Sequence, residues 1–191
     1  MRWTVLDTPI GELSVAADDA GICGVHFGPI AGALPAGAEP TAGDTEPAAG
    51  GAAVSAGEPG AGDAVDDPAA GRWRRAAIEQ LRSYFAGELT DFTVPLSVRR
   101  GSDFERAVWR EMSTIPYGKM RTYGEVATAL GDPGAARAVG VACNRNPIPV
   151  IVPCHRIVGA GGKLVGFGGG LPRKRQLLEI EAGVALRRAW G

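Results

Sequence analysis

The chain of 191 residues and 19.7 kDa is long enough for one domain or two small ones. With 45% hydrophobic and 21% charged residues its composition is ordinary for a globular protein, and no run of about 18 apolar residues offers a transmembrane helix. The opening MRWTVLDTPIGELSV lacks the cationic stretch and long apolar run of a secretory signal, and three cysteines (Cys23, Cys143, Cys154) are too few for a disulfide framework, so a reducing cytoplasm is the expected setting.

The net charge of −1 conceals a division. Residues 1–98 carry five basic residues against fourteen acidic, a balance of −9, whereas residues 99–191 carry fifteen against seven, a balance of +8. Such a C-terminal half suits a polyanion, although a solvated basic face has the same charge. We expect two units, 1–98 and 99–191.

In chain order, Trp3–Val5 and Glu12–Ala16 alternate as strands about a turn at Pro9 and Gly11, and Gly21–Phe27 reads as a third strand. In residues 31–71, Ala, Gly and Pro fill 28 of 41 positions, with seven acids and no Lys or Arg. That composition buries too little apolar area to offset chain entropy, so a disordered acidic insertion is expected. Arg72–Phe85 then has helical apolar spacing (Trp73, Ala77, Ile78, Leu81, Tyr84, Phe85), closed by Gly87.

The second half is denser. Asp103–Ser113 predicts a helix with Phe104, Val108 and Trp109 on one face, and Tyr123–Leu130 predicts a short one. Asp132 suits an N-cap and Pro133 a first helical position, opening a helix from Gly134 to about Asn144. Two short helices joined by a tight turn have helix-turn-helix spacing, which many helical hairpins share without touching DNA.

The chemistry concentrates in NPIPVIVPCHR, residues 146–156. An extended apolar run ends at Pro153, whose ring disfavours helix before it and opens a turn that can present Cys154. Thiolate is the reactive form of cysteine, and a nearby histidine can accept its proton. Sequence neighbours point apart on a strand or helix, so His155 would reach Cys154 only through a turn or a bridging water.

The segment NPIPVIVPCHRIVG resembles the active-site stretch of the O6-alkylguanine-DNA alkyltransferases, whose Pro-Cys-His-Arg hallmark reads Pro153–Arg156 here. Further family features follow in order: TPIG at Thr8–Gly11, IPYG at Ile115–Gly118, TYGEVA at Thr122–Ala127, ARAVG at Ala136–Gly140, GFGG at Gly166–Gly169, then Lys174 and LLEIE at Leu177–Glu181. The resemblance implies an α+β fold: a small N-terminal antiparallel sheet with a helix, then a mostly helical, winged-helix-like domain containing a helix-turn-helix.

It also implies direct reversal of DNA alkylation. Cys154 would take the alkyl group from guanine O6, with O4-alkylthymine a further candidate substrate. His155 would accept the thiol proton through a water, Glu181 would polarise His155, Asn146 would brace the turn before the cysteine, and Tyr123 would give a proton or hydrogen bond to the departing guanine. The alkyl group would stay on sulfur, so each molecule reacts once and needs no cofactor. Because a stacked base hides O6, the nucleotide must be flipped out, and Arg137 would fill the space it leaves. Thr122, Tyr123, Ala136, Arg137 and Gly140 would meet double-stranded DNA through its minor groove. Cys143, Pro149, Ile157, Phe167 and Gly168 would line the substrate pocket. The protein is expected to act as a monomer, with no obligate protein partner and no membrane.

Several positions depart from the family pattern. Cys143 stands where an apolar residue is common, Phe167 where tyrosine is, and Glu105 where glutamine is. Cys23-x-x-His26 offers too few ligands for a metal site and reads as strand core. GAGGKL, residues 159–164, lacks the spacing of a phosphate loop and reads as a turn between two short strands. A papain-type hydrolase would need a histidine distant from its cysteine, and only His26 and His155 exist. A lesion binder that transfers nothing would lack the acceptor cysteine, and a redox-sensing thiol is the remaining alternative.

Overall fold

The computed structural model describes residues 2–36 and 67–190. Strands β1 (Trp3–Leu6), β2 (Leu13–Ala17) and β3 (Ile22–Phe27) form the expected antiparallel meander, with Trp3 opposite Ala16 and Leu13 opposite Phe27. A two-residue strand, β4 (Leu34–Pro35), adds to β1 in parallel, giving the order β3-β2-β1-β4. The sheet is therefore mixed rather than wholly antiparallel. Proline is tolerated in β4 because the strand lies at the edge.

Helix α1 (Pro68–Ala86) starts earlier than its apolar spacing suggests. Asp67 caps it by accepting from the Ala69 amide at 2.8 Å, Pro68 occupies the first turn, and Gly87 closes it in the left-handed region at φ 79°. Both edges of the expected insertion are thus ordered, at 31–36 and 67–71; its remainder, 37–66, lies outside the described residues. Ala70, Ala77, Ile78, Leu81 and Tyr84 turn the buried stripe of α1 onto β2 and β3.

Helix α2 (Asp103–Ser113) is framed by a reciprocal capping box. The Ser102 amide donates to Glu105 Oε2 at 2.7 Å and the Glu105 amide donates to Ser102 Oγ at 3.2 Å. The unusual Glu105 also pairs with Arg145 at 3.0 Å. After β5 (Arg121–Thr122), α3 (Tyr123–Ala129) is capped the same way by Thr122 and Glu125. A single 3₁₀ turn at Pro133–Ala135 leads into α4 (Ala136–Asn144), so the helix expected from Gly134 divides into two pieces. Trp109 Nε1 donates to the Ala142 carbonyl at 2.8 Å and ties α2 to α4 beneath a shared core of Val108, Met112, Val126 and Val139.

Strand β6 (Ile157–Val158) pairs in parallel with β5, and helix α5 (Leu171–Trp190) ends the chain. Among the described residues no strand follows the 3₁₀ turn at Ala160–Gly162, so GAGGKL does not join two strands. Helix α5 grips the sheet's first turn: Arg173 Nε donates to the Ile10 carbonyl at 2.9 Å and Gln176 Nε2 to that of Pro9 at 2.6 Å. No helix among the described residues is long and apolar enough to cross a membrane.

Candidate active site

The apolar run before Cys154 is a tight turn, not an extended strand. The Val152 amide donates to the Ile148 carbonyl at 2.9 Å, and Val150 sits at φ 75°, where a β-branched side chain is strained by about 1–3 kcal/mol. Its surroundings over-determine that conformation. Val150 is fully buried, and Asn146 braces the turn from within, accepting from the Ile148 amide at 3.0 Å and donating to the Val152 carbonyl at 2.8 Å. From outside, the Val25 amide of β3 donates to the Pro147 carbonyl at 2.9 Å, so the sheet itself helps to hold the loop.

Pro153 then leads into one 3₁₀ turn, Cys154–Arg156, with all three side chains buried. The thiol of Cys154 borders a cavity of about 450 Å³. Four of the five expected pocket residues, Cys143, Pro149, Phe167 and Gly168, line it with Asn146. Ile157 does not; it is fully buried in β6, where its carbonyl accepts from Lys174 Nζ at 2.5 Å. The cavity also takes a wall from β3, including His26 and Phe27. His26 is exposed and Cys23 half-buried, so that pair is not strand core.

Burial pushes the Cys154 thiol up to about 11, outweighing the Asn146 side chain and the Lys174 charge, which pull it down. The resting sulfur is therefore protonated at neutral pH and needs a base. His155 lies beside it in sequence, fully buried, and its ring hydrogen bonds go to Glu181 and Tyr84 rather than to the sulfur. Its Nε2 meets Glu181 Oε1 at 2.8 Å, while Nδ1 is buried and without a partner among the described residues. Burial holds the imidazole below its ordinary value against the pull of Glu181, so it is neutral at pH 7. With Nε2–H donating to the carboxylate, Nδ1 carries the free lone pair.

Glu181 gathers the remaining donors. Tyr84 donates to Oε1 at 2.8 Å, the Gly118 amide to Oε2 at 2.9 Å, and Arg156 Nη2 to Oε1 at 2.9 Å. Burial alone would raise this carboxyl, yet the hydrogen bonds from His155 and Arg156, with the Arg156 charge, hold it at about 2. Sequence reasoning missed Tyr84 and the buried Arg156 as parts of this cluster, because pairings across 97 and 25 positions leave no local signature. Lys174 is fully buried and donates to the carbonyls of Ile157 and Val165, tying the Val165–Gly166 loop to β6.

On the other side of Asn144 lies an open groove of about 920 Å³, lined by all five residues expected to meet DNA: Thr122, Tyr123, Ala136, Arg137 and Gly140. Asn144 borders both spaces. Arg137 is exposed near the start of α4, the Thr122 hydroxyl is engaged in its capping box, and Gly140 lies under the Tyr123 ring. Tyr123 donates its hydroxyl to the Val165 carbonyl at 3.0 Å, and burial pushes it up to about 12. Tyr123 thus faces the groove rather than lining the cavity.

The site is thus a buried thiol beside a hydrogen-bonded histidine–carboxylate pair, sharing Asn144 with an open groove whose lining carries Arg137 and Glu125. Two family descriptions match the chain: the ribonuclease-like domain of 6-O-methylguanine DNA methyltransferase over residues 1–98 and its DNA-binding domain over 103–183. The chain belongs to the 6-O-methylguanine DNA methyltransferase family. It is similar to the methylated-DNA–protein-cysteine methyltransferase of Mycobacterium tuberculosis H37Rv, 61% identical over 105 residues, 55% of this chain and 63% of that protein. The matched region thus spans less than two thirds of that relative. The Methanosarcina acetivorans protein of the same name is 54% identical over 107 residues, covering 56% of this chain and 68% of its own. The crystal structure of M. tuberculosis OGT in complex with DNA superposes with a TM-score of 0.71 at 40% identity, covering 96% of this chain and 94% of that one.

Proposed function

We propose that the protein repairs O6-alkylguanine in double-stranded DNA by moving the alkyl group irreversibly onto its own Cys154. The observation that carries this reading is the junction at Asn144, where a cavity holding a protonated but relay-served thiol meets the groove that carries Arg137. The names of the relatives and the DNA in the solved neighbour agree with it.

In the proposed sequence, α3 and α4 act as a helix-turn-helix unit that enters the minor groove, and Arg137 takes the place of a nucleotide flipped toward Cys154. The thiol proton passes through a water to His155 Nδ1, and Glu181 stabilises the imidazolium that forms. The thiolate attacks the alkyl carbon in line; the S–C bond forms as the C–O6 bond breaks. The electron pair returns to the purine, which takes up a proton at N1 from solvent water, with Tyr123 supplying a hydrogen bond as it leaves. A thioether carbon–sulfur bond offers no good leaving group at neutral pH, so the alkyl group stays on sulfur and the protein acts stoichiometrically, without a cofactor. O4-alkylthymine presents the same C–O bond and is a second candidate substrate.

Intact-protein mass after incubation with duplex DNA containing O6-methylguanine tests the reading. A gain of one methyl, absent in Cys154→Ala, supports it. Tight lesion binding with no mass change would instead assign the protein as a non-enzymatic lesion binder.

A further inference from the structure

The histidine–carboxylate pair has a third member that the transfer step above does not use. Tyr84, near the end of α1, is fully buried, and its ring packs against Phe92 and Tyr117 with centroids 5.4 Å and 5.7 Å away. Its hydroxyl donates to Glu181 Oε1 at 2.8 Å and lies 3.5 Å from His155 Nε2. The same Oε1 also takes His155 Nε2 at 2.8 Å and Arg156 Nη2 at 2.9 Å, so tyrosine and histidine draw on one oxygen. A histidine base needs one carboxylate behind it to orient the ring and steady the imidazolium. A phenol that shares the carboxylate oxygen weakens its pull on the ring.

We infer that Tyr84 is a positioning residue that acts on Cys154 through His155: it fixes which ring nitrogen carries the hydrogen and limits how strongly Glu181 holds a second proton on the ring. This inference rests on the alkyl-transfer reading above and adds a residue to the same site. The hydroxyl has one hydrogen, and Glu181 takes it. Burial, with the charge and hydrogen bond of Glu181, pushes the phenol well above its ordinary 10 and keeps that hydrogen in place at neutral pH. The Tyr84 oxygen therefore shows Nε2 a lone pair, which favours hydrogen on Nε2 and leaves Nδ1 as the nitrogen free to accept. From 3.5 Å, the outer edge of hydrogen bonding, that lone pair steadies an imidazolium only weakly. The 2.8 Å bond to the carboxylate is the stronger contact, and it withdraws charge from the group that would stabilise the cation. The second effect wins, and the ring stays ready to take the thiol proton. Among the described residues the Cys154 thiol, Arg156, Lys174 and Tyr117 also face the pair, and exchange of Tyr84 leaves all four in place.

The chain has two histidines, so the exposed His26 is an internal reference when His155 is titrated by NMR in the absence of DNA. Tyr84→Phe is expected to raise the His155 midpoint by roughly half to one pH unit, about the worth of one hydrogen bond expressed as proton affinity, with His26 unmoved. The acid limb of the single-turnover rate on O6-methylguanine duplex should rise by the same amount. A purely structural loss would instead lower the rate equally at every pH. Replacing Tyr84 by 3-fluorotyrosine keeps the shape of the ring and makes the hydroxyl a stronger donor, so it should move both midpoints down. That variant keeps the inference testable if Tyr84→Phe fails to fold. A His155 midpoint that stays fixed, or moves the opposite way, in either variant overturns the inference. No transfer from O6-methylguanine by the unaltered protein would overturn the proposed function instead, and the titration, which needs no DNA, separates the two failures.

Discussion

The two spaces that meet at Asn144 are built in opposite ways. On the cavity side, Glu181 accepts from Tyr84, His155, Arg156 and Gly118, and Lys174 is clamped between carbonyls, all of them closed inside the fold. On the groove side, Arg137 stands exposed with no partner among the described residues, and Val141 and Val165 leave apolar surface in water. In the proposed reaction the first arrangement is complete before substrate arrives. The second is a surface whose partners must arrive from outside. Substitutions on the cavity side should therefore strike rate and stability on every substrate, and those in the groove should strike only what duplex DNA requires.

His155→Gln gives the largest expected effect, a fall of about 100- to 10,000-fold in the single-turnover rate, the usual loss with a general base. The affinity for unmodified duplex, read by fluorescence anisotropy, is expected to stay as it was. Glu181→Ala leaves the buried Arg156 without its counter-ion and is expected to cost about 3–5 kcal/mol in chemical denaturation. Were that cost no larger than for a surface acid, the closed character of the cavity side would be wrong. Arg137→Ala sharpens the comparison from the other side: transfer from a duplex should drop about 10-fold or more, since the flipped state loses its support worth a few kcal/mol. Transfer from a single-stranded oligonucleotide, which needs no flipping, should change much less.

Tyr84→Phe removes one buried hydrogen bond and is expected to cost about 1 kcal/mol. Acid should weaken the fold through the same cluster. His155 titrates below its ordinary 6.5 in the folded chain, so below pH 6.5 the unfolded chain takes up a proton that the folded one refuses. Glu181, held at about 2 against an ordinary 4.5, adds stability that is full above pH 4.5 and is lost as pH falls toward 2. Both act in one direction, so denaturation midpoints should fall steadily below pH 6.5. A midpoint flat across that range would show that the cluster is solvated.

Legibility in the sequence follows the same division. Helix α2 is readable to the residue because Phe104, Val108 and Trp109 mark one face and Met112 continues it; the Ser102–Glu105 box that frames its start is seen only in the structure. The five residues that line the groove were named through the family resemblance of TYGEVA and ARAVG, two short segments that the fold brings together. Helix α5 was not readable as a long helix: its buried positions are Lys174, Leu177, Glu181 and Val184, and two charges in the buried stripe erase the apolar period. Strand β4 rests on pairing with β1 within a composition that argues for disorder. The run before Cys154 has a strand's composition, but the Asn146 braces and the bond from β3 fold it into a turn. In each case a long-range contact decided the outcome, and no local pattern records it.

The most direct test of the account is a titration of the 191-residue chain with excess O6-methylguanine duplex, followed by peptide mapping. The account predicts that methyl transfer stops at one per protein molecule, all of it on Cys154. Continued turnover, or methyl on Cys143 instead, would contradict it.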